Sequence, residues 1–123
     1  MTTVTDPSAT VDRYFDAWND TDARSRLEAV ARAWSPNGRY VDPVADVTGH
    51  EATSDMIGGV HEQYPGVTLR CSSDIDSHHD VIRFSWEILD DNGPVALSGI
   101  DVARLDEDGR LLDVRGFFAS AGS

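Results

Sequence analysis

The spacing of apolar residues changes character once along this chain, at Pro65-Gly66, and that change limits the possible folds more than any other feature. Before it, apolar residues recur at intervals of three and four. After it, they alternate. Helical periodicity, interrupted only by a short extended stretch over 39–47, followed by strand periodicity predicts an α+β domain whose late strands pair as hairpins and wrap the early helices.

In the helical half, Asp6-Pro7 offers an N-cap with proline at the first helical position. Val11, Tyr14, Phe15 and Trp18 then form one apolar stripe, and Asn19-Asp20-Thr21-Asp22 ends this helix and caps the next. The second stripe is Leu27, Val30, Ala31 and Trp34, with Arg24, Arg26, Glu28 and Arg32 mostly off it. Ser35-Pro36-Asn37-Gly38 reads as a stop. Arg39 to Asp42 is predicted as a short strand and Val44 to Val47 as a second extended segment. Thr48-Gly49-His50-Glu51 has the pattern of a capping box for a third helix carrying Met56, Ile57, Val60 and Tyr64. Gly58-Gly59 inside that helix costs about 1 kcal/mol per glycine relative to alanine. Residues 1–8 are expected to be a flexible N-terminus and residues 9–119 a single domain.

In the strand half, Val67, Leu69, Cys71 and Ile75 alternate with polar residues, as do Ile82, Phe84, Trp86 and Ile88. Turns at Asp90-Asp91-Asn92-Gly93-Pro94 and Asp106-Glu107-Asp108-Gly109 lead into Val95 to Leu105 and Leu111 to Phe118. Four long strands in an antiparallel meander are therefore expected. The run Ile82, Phe84, Trp86, Ile88 is more than one set of helices is expected to cover, so a homodimer through the sheet face is expected.

Charge removes several functions. Ten arginines, no lysine and 22 acidic residues give a net charge of −12, which disfavours nucleic acid and anionic membrane as partners. Without lysine there is no Schiff-base chemistry. The single cysteine, Cys71, reads as a half-buried strand residue and rules out a disulfide framework. His78-His79-Asp80 reads as a surface turn, and His50 and His61 are too far apart on one helix to share a metal. The N-terminal residues lack the pattern of a secretory leader, so a cytoplasmic protein is expected.

Three residues could carry chemistry. Asp101 is in phase with Val95, Leu97, Gly99, Ala103 and Leu105, so its carboxyl should lose water and become a weaker acid. Asp42 ends a strand in an Asp-Pro pair, a common turn former, and Tyr14 lies on a buried helical stripe. Taken singly, each has an ordinary structural explanation.

Taken together with Arg13-Tyr14, Ala17-Trp18-Asn19, Tyr40-Val41-Asp42-Pro43-Val44, Gly49, Gly99-Ile100-Asp101 and Val114-Arg115-Gly116-Phe117-Phe118, they resemble the nuclear transport factor 2-like superfamily over about residues 10–118. Within it, the chain is similar to the steroid isomerase and SnoaL-like polyketide cyclase branches. The resemblance implies a cone-shaped α+β barrel, with three N-terminal helices packed in a strongly bent antiparallel sheet. It implies Asp42 as general base, Tyr14 and a neutral Asp101 as donors to an enolate oxygen, and no metal or organic cofactor. A small apolar ligand is expected among Trp18, Trp34, Met56, Val60 and Phe118, with Trp34, His50, His61 and Arg70 narrowing or polarising the pocket. Two other functions stay open: a non-catalytic ligand-binding or dimeric module, and an epoxide hydrolase-like enzyme with Arg83 beside Asp101.

Overall fold

The computed structural model of the chain describes residues 6–119. Helices α1 (Pro7–Asn19) and α2 (Ala23–Ala33) lead into strands β1 (Trp34–Asp42) and β2 (Ala45–Thr48). Helix α3 (His50–Gln63) follows, then β3 (Thr68–Cys71), β4 (Asp76–His78), β5 (Val81–Leu89), β6 (Val95–Leu105) and β7 (Leu111–Phe118). The seven strands form one curved, unclosed mixed sheet in the order β2-β1-β7-β6-β5-β3, with β4 paired to β5. The three helices and this sheet make the expected α+β cone.

The two early helices start as their sequences dictate. Asp6 accepts from the Ser8 amide and Asp22 from the Ser25 amide, each satisfying an amide that the first turn leaves unpaired. The N-terminal segment expected to be flexible lies outside the described residues except for its end, where Pro7 and Ser8 already form the first turn of α1. Val11, Tyr14, Ala17 and Trp18 are buried, as the stripe on α1 requires.

Helix α2 departs from its predicted stripe. Leu27 is exposed, and the buried face is Arg26, Ala29, Val30 and Ala33. Arg26 crosses to α3, where its Nε donates to the Ser54 carbonyl and hydroxyl, while Nη1 donates to the Asp20 carbonyl. Gly58 makes room for it: a Cβ there would lie 2.5 Å from Arg26 Nη2. The glycine that weakens α3 as a helix thus lets a guanidinium tie three helical segments together.

Other boundaries also differ. Ser35-Pro36-Asn37-Gly38 does not stop the chain but belongs to β1. The register against β7 jumps between Trp34 opposite Leu111 and Arg39 opposite Asp113, so Pro36 falls in an irregular stretch where its missing N–H breaks no ladder. Thr48 makes no capping box; it ends β2, and Gly49, at φ 96°, is the N-cap of α3 without a side-chain hydrogen bond. Of the strand predicted over 67–75 only β3 forms, and β4 follows it as a separate short strand, both antiparallel to β5. His78 ends β4 and His79 and Asp80 form the expected turn.

The pairing of β1 with β7 is parallel, where a wholly antiparallel sheet was expected. The face of β5 that suggested a dimer is the inner one: Ile82, Phe84 and Trp86 are buried, and Ile88 packs against the core. Among the described residues, no helix is long and apolar enough to cross a membrane.

Candidate active site

The sheet order places three strands side by side, with β7 between β1 and β6. Antiparallel register sets Asp101 opposite Gly116, and the parallel register of β1 sets Val41 opposite Arg115. Asp42 therefore approaches Gly116 from one side and Asp101 from the other. A Cβ on Gly116 would lie 2.8 Å from Asp101 Oδ1, 3.3 Å from Asp42 Cβ and 3.6 Å from the Tyr40 hydroxyl. Two carboxyls from non-adjacent strands meet because the strand between them has no side chain there.

Each carboxyl is held by specific donors. Tyr14 on α1 donates to Asp101 Oδ2 at 2.5 Å, and the Trp86 indole donates to Oδ1 at 2.9 Å. Trp86 faces Gly99 across the β5–β6 ladder, and a Cβ at Gly99 would collide with the Trp86 ring and the Phe117 carbonyl. The ring can therefore lie flat over β6 with its N–H directed at Asp101. Asp42 receives the Tyr40 hydroxyl on Oδ2 at 2.7 Å and the Val44 amide on Oδ1 at 2.9 Å. The Asx turn that Asp-Pro predicts is thus present, and it orients the carboxylate as well as the backbone.

Asp101 is 1% exposed. Burial raises its pKa to about 7; the Tyr14 and Trp86 donors pull the other way, and the charge of Asp42 adds to the rise. The same burial, with the charge of Asp101 next, pushes the Tyr14 phenol well above its ordinary value, and the Tyr40 phenol rises for the same two reasons and through its bond to Asp42. Both tyrosines are therefore fixed as hydrogen-bond donors, while Asp101 changes charge near neutral pH.

These groups line a cavity of about 350 Å³. Tyr14, Asp42, Asp101, Trp18, Val60 and Phe118 all border it. Trp34 and Met56 do not: Trp34 is wholly enclosed against the Tyr14 and Tyr40 rings, and Met56 packs on the core. The expected polar intruders are also occupied elsewhere. His50 Nε2 is 2.9 Å from the Trp34 carbonyl, His61 Nε2 is 2.6 Å from the Trp18 carbonyl, and Arg70 pairs with Glu87. Arg83 lies on the exposed face, opposite Val102 and paired with Asp76, so the arginine needed beside Asp101 for the epoxide hydrolase arrangement is not there.

Tyr40 and Trp86 are the donors to the two carboxyls that sequence reasoning missed. Tyr40 precedes Asp42 by two, the spacing that puts both on one face of a strand, and Trp86 lies on the inner face of β5 in the same alternation as Phe84. Among the described residues no group of three or more His, Cys, Asp or Glu is placed to hold a metal ion.

The profile of the SnoaL-like domain matches residues 11–114. A solved structure from Agrobacterium tumefaciens, named as a candidate isomerase of the SnoaL-like family, is 32% identical, with 92% of this chain and 97% of that chain covered at a TM-score of 0.87. A candidate SnoaL-like polyketide cyclase from Jannaschia sp. CCS1 shares the fold at 16% identity, covering 91% of this chain and 84% of that one, with a TM-score of 0.70. So does an NTF2-like protein of unknown function from Exiguobacterium sp. 255-15, at 21% identity, 91% and 99% coverage and a TM-score of 0.72. No functionally curated protein matches the chain.

Proposed function

The chain belongs to the SnoaL-like family, and from that premise we propose that it is a cytoplasmic, cofactor-independent proton-transfer enzyme acting on a small hydrophobic carbonyl compound, as an isomerase or cyclase. The observation that carries this reading is the meeting of Asp42 with the Tyr14–Asp101 pair over Gly116, in the wall of an otherwise mostly apolar cavity. Asp42 takes a proton from the carbon next to the carbonyl. The C–H electron pair moves into the enolate, and the negative charge gathers on oxygen.

That oxygen is stabilised by donors that need no reorganisation. When Asp101 is protonated on Oδ2 it becomes the donor to Tyr14, whose own proton then turns to the substrate oxygen. Asp42 finally returns its proton to the original carbon or to one further along the conjugated system. The test is deuterium exchange at the α-carbons of 2-tetralone, followed by NMR. Exchange well above the buffer rate, falling at least about a hundredfold in Asp42→Asn while the fold is kept, is expected. Exchange no faster than buffer overturns the reading.

We also propose a second copy of this chain as partner. Ile100 and Phe117, paired across β6 and β7, are 41% and 60% exposed on the outer sheet face, and this supports a homodimer through that face. Sizing chromatography checks it: a dimer that Phe117→Glu converts to monomer is expected, and a wild-type monomer overturns it.

A further inference from the structure

Asp42 and Asp101 bring two carboxyls into one cavity, and among the described residues neither forms an ion pair. The cavity lining contains no arginine, lysine or histidine. A secluded acid without a cation either keeps its proton or carries its charge at a cost, and a positive charge supplied from outside relieves both. The surroundings suit such a charge when it sits on carbon. Seven of the lining side chains are aromatic, and aromatic faces attract organic cations. The net charge of −12 adds attraction at long range.

We propose that the cavity binds lipophilic ammonium compounds about the size of a bicyclic amine, with the ammonium group against Asp42 and the carbon frame among the aromatic rings. This goes beyond the proton-transfer reading, because it uses the carboxyls as counter-charges and needs no turnover. Asp42 is the contact residue. It is only partly buried, and Tyr40 and the Val44 amide fix its two oxygens while leaving each a further lone pair. Asp101 is enclosed, with both oxygens taken by Tyr14 and Trp86, and contributes as the second negative charge.

The titratable groups that face Asp101 are Tyr14 from α1 and Tyr40 and Asp42 from β1; β5 contributes Trp86 and β7 contributes Gly116, neither charged. A bound cation favours ionised Asp101. Binding therefore tightens as pH rises through about 7, until the amine loses its own proton.

Three probes on one carbon frame test this: 2-aminotetralin, 2-tetralone and tetralin-2-carboxylate, titrated calorimetrically at about pH 6 and about pH 8.5 into wild-type protein, Asp42→Asn and Asp42→Glu. The amine should bind at least about tenfold tighter than the carboxylate at the higher pH, tighten between the two, lose about tenfold in Asp42→Asn and recover in Asp42→Glu. An amine that binds no tighter than the carboxylate in wild-type protein overturns the proposal, whether or not the variants fold. So does a preference that survives Asp42→Asn. Deuterium exchange into 2-tetralone, followed in the same samples, separates the two readings. Amine preference without exchange removes only the proton-transfer reading, and exchange without amine preference removes only this one.

Discussion

Tyr40 donates its phenolic proton to Asp42, two residues further along the same strand, across 2.7 Å. Neighbouring in-phase side chains on one strand seldom need each other, but here one sets the direction of the other. Removing that hydroxyl in Tyr40→Phe leaves the ring contacts with Trp18 and Trp34 in place and frees the carboxylate to rotate. A fall of about tenfold in the rate of deuterium exchange, with little change in ligand affinity, is expected from steady-state measurements.

Asp101 makes stability depend on pH in an unusual direction. Its folded pKa, about 7, lies above the ordinary unfolded value of about 3.9, so between these limits the folded state holds a proton that the unfolded state has lost. Its contribution is fully present below about pH 4 and disappears as pH rises through 7. Urea denaturation at about pH 5 and about pH 8 should show wild-type protein losing on the order of a few kcal/mol relative to Asp101→Asn over that interval.

Trp86→Phe removes a donor that favours the ionised form of Asp101. The carboxyl pKa should rise further. If the neutral acid is the active form, exchange activity falls with rising pH near 7 in wild-type protein, and that limb should move to higher pH in the variant. A pH–rate profile of the two proteins checks the displacement.

Gly116→Ala places a methyl group 2.8 Å from Asp101 Oδ1 and 3.3 Å from Asp42 Cβ. Both neighbours are side-chain atoms with some freedom to yield, so the protein should fold with a loss of about 1–3 kcal/mol while the carboxyls are pushed apart. Activity should fall more steeply than stability, as comparison of thermal melts with exchange rates will show. Gly99→Ala meets the Phe117 backbone carbonyl and should cost more in stability.

Local rules made much of this molecule legible. The caps at Asp6 and Asp22, the buried stripe of α1 and the alternation along β5 and β6 follow from spacing within a few residues, but not which face turns inward: Ile82, Phe84 and Trp86 read as an uncovered face and are buried. What escaped depends on distant partners. Pro36 and Gly38 read as a stop because nothing in their neighbourhood reveals that β7 lies alongside. Arg26 reads as solvated because the space above Gly58 comes from another helix. In the site, the chemical types of Asp42, Tyr14 and Asp101 were visible, but not the roles of Tyr40 and Trp86, which exist only through the carboxyls they hold. The outward direction of Arg83 also came from strand register, which a single sequence does not specify.

The parallel pairing of β1 with β7 joins strands that β2, α3 and β3 to β6 separate along the chain. Such a pairing closes a long loop before it returns any contact energy, which makes it a late event in folding. β7 is also the strand that separates and positions Asp42 and Asp101. During synthesis, then, the helices and the first hairpins can collapse on the ribosome while the two acids remain unacquainted, and the candidate site is assembled only when β7 has emerged.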